Sequence, residues 1–252
     1  MTDVDSRIPR ELIGTLPSSP AEERNWQFTV FPDWQTTFLT IADACALISQ
    51  PTKILQQHNR GIVLLIQQHE KQFIAKRSLT QETRWWAQLT SIYRDGEGAR
   101  TLHSMQQLHE LGLPVPEPVL ILEKKRWGLT VASWAVYRYL KGETCSFAHS
   151  AQIARTLKAL HEKGWVHRDP HVWNFLLHHG EIRILDCARA RSWNSRYAKM
   201  YDVVLLDKCS SGSAEQYGVS ERDWVYRLAK FHNRGIQSWR KIKRKVRFWR
   251  VH

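Results

Sequence analysis

The sequence predicts an α+β protein of two lobes, the first sheet-rich and the second helical. Three observations carry that expectation. Residues 53–77 (KILQQHNRGIVLLIQQHEKQFIAKR) hold three short β-like runs, ILQQH, IVLLIQ and QFIAK, separated by the turn signals NRG and HEK. Apolar residues at helical spacing follow within 81–111 and 149–163. From about residue 196 onward the chain reads as helices. A length of 252 residues suits one large domain or two lobes that share a cleft.

Taken in order, residues 1–50 read as an N-terminal extension. Its opening stretch, MTDVDSRIPRELIGTLPSSP, carries acids and no apolar core, unlike a secretory signal. The first lobe spans 51–140, and its three β-like runs predict an antiparallel meander. Residues 81–111 read as two helical pieces broken near Asp95-Gly96. The second piece places Leu102, Met105, Leu108 and Leu111 on one stripe and stops at Gly112, ahead of Pro114 and Pro116. After PVPEPVL, the segment 127–140 (WGLTVASWAVYRYL) is β-rich, and Lys141-Gly142 closes it.

The second lobe spans 141–235. Residues 149–163 predict an amphipathic helix with Ile153, Leu157 and Leu160 inward and Gly164 as its stop. Two short strands, FLLH and IRIL, are joined at His179-Gly180, where the histidines 178 and 179 read as solvated turn residues. Residues 236–252 read as a basic amphipathic helix. The end of the chain from 234 holds eight Lys/Arg and no acid, while Trp239, Ile242, Val246 and Trp249 recur at spacings of three and four. Such helices settle on anionic membrane surfaces. Packing of the Trp stripe on the second lobe, with a solvated basic face, is equally compatible with the pattern.

Composition narrows the function. A hydrophobic content of 42% and a charged content of 24% are ordinary for a globular protein. No run approaches the roughly 18–20 apolar residues that cross a bilayer. The four cysteines, at 45, 145, 187 and 209, form no C-x-x-C pair, which speaks for a reducing cytoplasm and against zinc or a disulfide framework. A net charge of +13 implies an acidic partner: nucleic acid, anionic lipid or a phosphorylated substrate. No nucleic-acid recognition motif is present, so nucleic acid is not expected.

Polar residues then fall in a telling order. Lys76 ends the strand FIAK; Asp169 and Asn174 stand five apart in HRDPHVWN; Asp186 follows the strand RIL in LDCA. Phosphoryl transfer from a magnesium nucleotide needs these types: a cation for the α/β-phosphates, a carboxylate for the attacking hydroxyl, and a carboxamide oxygen with a second carboxylate for the metal. A tight hairpin of FLLH and IRIL would return Asp186 beside Asn174. Alone, each residue has a plainer reading, Lys76 as a snorkelling surface lysine and Asp186 as a turn cap. Their joint order and spacing favour the chemical one.

The order F-I-A-K, H-R-D-x-x-x-x-N and I-L-D resembles the protein-kinase-like superfamily. Within it the chain is most similar to the bacterial lipopolysaccharide core sugar kinases, the heptose and Kdo kinases. The segments GLPVPEPV, YRYLKGE, LHEKGWVHRDPHVWNFLL and IRILDCARAR carry the likeness, over about residues 50–210. The resemblance implies a kinase-like fold with a small antiparallel sheet in the first lobe and a mainly helical second lobe. It implies ATP and Mg²⁺ as cofactors and assigns roles. Lys76 would hold the α/β-phosphates, Asp169 would be the base, and Asn174 and Asp186 would bind the metal. Tyr139 and Leu140, in the hinge 137–140, would meet adenine. His171 stands two after the base, where protein kinases carry Lys, and would touch the γ-phosphate. His167, with Arg168, would organise the catalytic loop, and Asp202 would anchor it from the next helix. For the acidic partner of Lys76, Glu97 and Glu82 both stay open, since family spacing points nearer Thr101. Trp165 and Trp173 read as core packing rather than as substrate platforms.

Departures from the family pattern refine the function. HNRGIVLL has the single Gly61, Cys187-Ala188 follows Asp186 in place of F-G, and no A-P-E follows. These features suit a constitutively formed sugar kinase rather than a regulated protein kinase. The expected activity is ATP-dependent phosphorylation of a heptose or Kdo hydroxyl of the lipopolysaccharide inner core, at the cytoplasmic face of the inner membrane. The alternatives are an aminoglycoside-type or protein kinase, or a kinase-like binding module without activity.

Overall fold

The computed structural model describes residues 16–17, 19–58, 61–79 and 95–249. The chain divides into two units, Met1–Lys141 and Gly142–His252. The first helical piece expected within 81–111 lies outside the described residues.

In the first unit, a one-turn helix α1 (Pro20–Glu23) leads into β1 (Trp26–Val30). Helix α2 (Ile41–Ile48) follows, then β2 (Pro51–His58), β3 (Gly61–Gln68) and β4 (Lys71–Ser78). Helix α3 (Glu97–Glu110) precedes β5 (Pro118–Arg126) and β6 (Leu129–Arg138). The strands form one antiparallel sheet in the order β1-β5-β6-β4-β3-β2. Strand alternation gives this sheet two apolar faces. Ile62, Leu64 and Ile66 of β3 share one face with Phe73 and Ala75 of β4 and Trp134 and Val136 of β6.

Strand β1 is an edge of this sheet and residues 34–48 cover that face, which corrects the expectation of an N-terminal extension ending at residue 50. Trp26, Trp34, Phe38, Ala44, Leu47 and Ile48 are all buried in its core. Burying each large side chain contributes roughly 1.5–3 kcal/mol, enough to hold this segment on the sheet. The Trp34 indole also donates to Glu117 Oε1 at 2.7 Å. Thr40 starts α2 with a capping box: its hydroxyl accepts from the Asp43 amide, and its own amide donates to Asp43 Oδ2 at 2.8 Å.

The opposite face receives α3. Leu102, Met105 and Leu108 of the expected stripe are fully buried, whereas Leu111 is 38% exposed because the helix ends before it. Gly112, at φ +74°, turns the chain so that the Leu113 amide reaches the Leu108 carbonyl at 2.9 Å. At the start of α3, Gly98 lets helix and sheet approach closely. A Cβ there would lie 2.4 Å from Ser133 Oγ. Strand β5 had no sequence signal of its own, its apolar run being masked by flanking prolines and by Lys124-Lys125-Arg126.

The second unit contains β7 (Glu143–Thr144), α4 (Ser150–Glu162), β8 (Trp165–Val166), β9 (Phe175–His178), β10 (Glu181–Ile184) and β11 (Arg191–Ser192). Helices α5 (Arg196–Cys209), α6 (Ser213–Tyr217) and α7 (Trp224–Trp249) complete it. Ile153, Leu157 and Leu160 of α4 are fully buried, and Met200, Val203 and Val204 of α5 pack with Val225, Tyr226 and Ala229 of α7. Because α7 runs unbroken from Trp224, no boundary falls at 235/236; the basic segment is the second half of one helix. The β9–β10 hairpin turns through His179 (φ +50°) and Gly180 (φ +81°), positive at both central positions as a two-residue hairpin requires.

Candidate active site

The segment HRDPHVWN forms a loop between β8 and β9, and Asp202 of α5 holds its start. One carboxylate oxygen of Asp202 accepts from the His167 amide at 2.6 Å, the other from the Arg168 amide at 2.7 Å. His161 Nε2 lies 3.2 Å from the same carboxylate, and His161 Nδ1 is 2.8 Å from the Tyr217 hydroxyl. Asp202 is 1% exposed, so these hydrogen bonds offset the cost of burying its charge. They also clamp Arg168 at φ +67°, a left-handed conformation that costs a non-glycine residue about 1–3 kcal/mol. With the backbone turned this way, the next side chain, Asp169, is left 52% exposed.

His167 is fully buried, its ring 5.5 Å from that of Phe175. Neither ring nitrogen has a hydrogen-bond partner among the described residues. Burial pushes its pKa below the usual 6.5 against the opposing pull of Asp202, Asp186 and Asp169, which keeps the ring neutral. The folded value being the lower one, this ring destabilises the fold increasingly as pH falls below about 6.5, and no further once pH is below the folded value.

Around Asp169 the loop is tightly wound. Its carbonyl accepts from the His171 amide and from Asn174 Nδ2, both at 2.8 Å. That bond commits the carboxamide nitrogen of Asn174 and orients its oxygen as the group open to a cation. Pairing of Phe175 with Ile184 and a 2.9 Å bond from the Leu185 amide to the Asn174 carbonyl bring Asp186 to the same end of the hairpin. Asp186 Oδ1 accepts from the Ala188 amide at 3.1 Å. A carboxamide oxygen and a carboxylate together suit a hard cation such as Mg²⁺.

Arg189, which sequence reasoning passed over, places Nη1 3.4 Å from Asp169 Oδ2. His171 lies against Trp173, ring centroids 4.5 Å apart. Trp165 is buried as expected, but Trp173 is 67% exposed, so the paired reading of both as core is corrected. Trp173 belongs to a single 3-10 turn (Val172–Asn174), where only Val172 faces inward.

The remaining candidates lie in the first unit. Lys76 of β4 is half-buried, and register sets it beside Ala135, on the sheet face that carries α3. Glu97 opens α3, and its Oε2 accepts from Ser78 Oγ at 2.7 Å, two residues after Lys76 on the same face. Thr101 is buried and donates to the Glu97 carbonyl at 2.7 Å. Glu82 lies outside the described residues. The Tyr139 amide donates to the Gln72 carbonyl at 3.0 Å, and Leu140 is half-buried. Sequence reasoning also missed Glu123, a buried acid on this face held by Lys125 at 3.0 Å and by the Ser133 hydroxyl at 3.2 Å.

Comparison with known proteins fits this arrangement. Residues 22–243 match the family described as lipopolysaccharide core biosynthesis protein (WaaY). The chain belongs to the WaaY family. Over 134 residues it is 29% identical to the lipopolysaccharide core heptose(II) kinase WaaY of Escherichia coli (strain K12), covering 50% of this chain and 54% of that protein. The chain thus spans about half the length of the curated relative it matches. Among solved structures, WaaP in complex with acyl carrier protein has a similar fold at TM-score 0.50 and 15% identity, over 87% of this chain and 98% of that one. A microcompartment-associated aminopropanol kinase also matches at TM-score 0.50, with 10% identity over 71% and 78% of the two chains. The WaaY-family fold is therefore α+β and protein-kinase-like, as the motifs predicted.

Proposed function

We propose that this chain is an ATP-dependent kinase that phosphorylates a sugar hydroxyl of the lipopolysaccharide inner core, heptose rather than Kdo. The observation that carries it is the loop around Asp169: an exposed carboxylate on a strained, anchored backbone, with Asn174 and Asp186 at the end of one hairpin. Membership of the WaaY family and the heptose(II) kinase named among its relatives supply the substrate class.

Bound Mg·ATP supplies the transferable phosphoryl group and a divalent counter-charge. Asn174 and Asp186 would hold the metal through oxygen atoms, and Lys76 would hold the α/β-phosphates with Glu97 as its acidic neighbour. Leu140 and the Tyr139 carbonyl would meet adenine, the Tyr139 amide being committed to Gln72. Asp169 would orient the sugar hydroxyl and take its proton as the phosphoryl group passes from ADP, the leaving group, to that oxygen, and His171 would face the γ-phosphate. Preorganisation of these charges, rather than covalent chemistry by the protein, lowers the barrier.

The work is placed at the cytoplasmic face of the inner membrane, on an anionic surface. Among the described residues no helix is long and apolar enough to cross a membrane. Helix α7 instead exposes Trp224, Leu228, Phe231, Trp239 and Ile242, with Arg227, Lys230, Arg234 and Lys241 along it. Apolar side chains amid cations suit an anionic bilayer surface.

One assay tests both parts. The full chain is given Mg·ATP and core glycolipid in either anionic or zwitterionic vesicles. Phosphate should appear on a core sugar, and faster with the anionic vesicles. No transfer to either preparation contradicts the kinase reading, and equal rates contradict the membrane reading.

A further inference from the structure

The turn between β5 and β6 puts a tryptophan where a tight hairpin disfavours one. Arg126 pairs with Leu129, so the loop is the two residues Trp127 and Gly128, at φ +51° and +76°. Such a turn needs positive φ at both positions, and Asn, Asp or Gly supplies it at least cost. The β3–β4 and β9–β10 turns hold His69 (φ +55°) and His179 (φ +50°) at the same position, a residue type enriched in that conformation. An indole has no such local advantage there. Packing does not offset the strain either. Trp127 is 85% exposed, the highest value for a large apolar side chain among the described residues. Arg126 lies over its ring at 4.5 Å, and a stack at an exposed site offsets only part of the strain.

Cations stand behind the indole. Lys124, Lys125 and Arg126 precede it on β5. The Lys125 amide donates to the Asn25 carbonyl at 2.7 Å, which brings the exposed Arg24 to the same end of the sheet. Of the acids nearby, Glu123 is buried and held by Lys125 at 3.0 Å, and Glu22 and Glu23 lie back in α1. Among the described residues Lys124 and Arg126 pair with no carboxylate; they lie over Trp26 and Trp127 instead. A two-residue turn is convex and encloses no pocket for a small ligand. A protruding indole with cations behind it matches the headgroup layer of an anionic bilayer.

We propose that the β5–β6 tip is a lipid contact of the first unit. Trp127 enters the headgroup layer of an anionic bilayer, and Lys124 and Arg126 meet lipid phosphates. The strain at Trp127 is the stability given up for that contact. This contact rests on the membrane placement proposed above and adds to α7 a second surface, on the other unit.

Sedimentation of the full chain with vesicles of phosphatidylglycerol and phosphatidylcholine, or of phosphatidylcholine alone, tests the contact through Trp127→Asn. Affinity for the anionic vesicles should fall roughly ten- to a hundredfold, as expected from returning about half of an indole surface to water. The melting midpoint should rise by about 2–4 °C, because Asn accepts the turn conformation. Trp127→Phe should keep part of the binding, and Arg126→Gln should narrow the preference for anionic vesicles. Unchanged binding by Trp127→Asn overturns the proposal. So does a midpoint that fails to rise, since the turn would then not be strained. The α7 variant Trp239→Ala separates the two surfaces. Loss of binding there, with none in Trp127→Asn, keeps α7 and removes the tip; the reverse pattern keeps the tip and removes α7. A wild-type chain that binds neither vesicle removes both.

Discussion

Replacing Asp169 with Asn is expected to lower kcat for phosphate transfer about a hundred- to ten-thousand-fold, the range a positioned general base contributes. The isosteric amide keeps the loop geometry but cannot accept the hydroxyl proton. Little else should change. The side chain is 52% exposed, and its ion pair with Arg189, itself 66% exposed, belongs to the class worth at most about 1 kcal/mol. Affinity for Mg·ATP should stay near wild type, since Asn174 and Asp186 are the assigned metal ligands. Steady-state rates with a thermal melt of the same sample check both halves. A rate within threefold of wild type would falsify the role of Asp169.

Replacing Asp202 with Ala is expected to act on the fold instead, lowering stability by about 3–5 kcal/mol, since each buried donor left without its acceptor costs about 1–3 kcal/mol. Three groups lose their carboxylate partner: the buried His167 amide, the part-buried Arg168 amide and the buried His161 ring. The left-handed conformation of Arg168 would also lose its clamp, so the Asp169 side chain would no longer be aimed. Urea unfolding followed by tryptophan fluorescence measures the loss. A change below about 1 kcal/mol would show that the loop is held by something other than Asp202.

Local signals were the legible ones. The meander 53–77 is announced by period-two alternation and turn residues, and the β9–β10 hairpin by His179-Gly180. The stripe Leu102, Met105 and Leu108 is plain at helical spacing. Within residues 26–48 the strand alternation Trp26, Phe28, Val30 and the helical spacing Ala44, Leu47, Ile48 were passed over, whereas Trp34 and Phe38 between them are ordered by the sheet they cover. Trp173 misled for the converse reason, a 3-10 turn having too few residues to impose a face. At the site, Asp169, Asn174 and Asp202 stood out through their spacing. Arg189 did not, since nothing in the sequence sets it against Asp169.

The central claim, that this chain adds a phosphate to an inner-core heptose through Asp169, is tested most directly in cells. Mass spectrometry of the lipopolysaccharide core would compare cells whose only copy is the wild-type chain with cells carrying Asp169→Asn. The wild-type core should carry one additional phosphate, located on a heptose. Identical phosphate content in the two cores, or a difference located on Kdo, would contradict it.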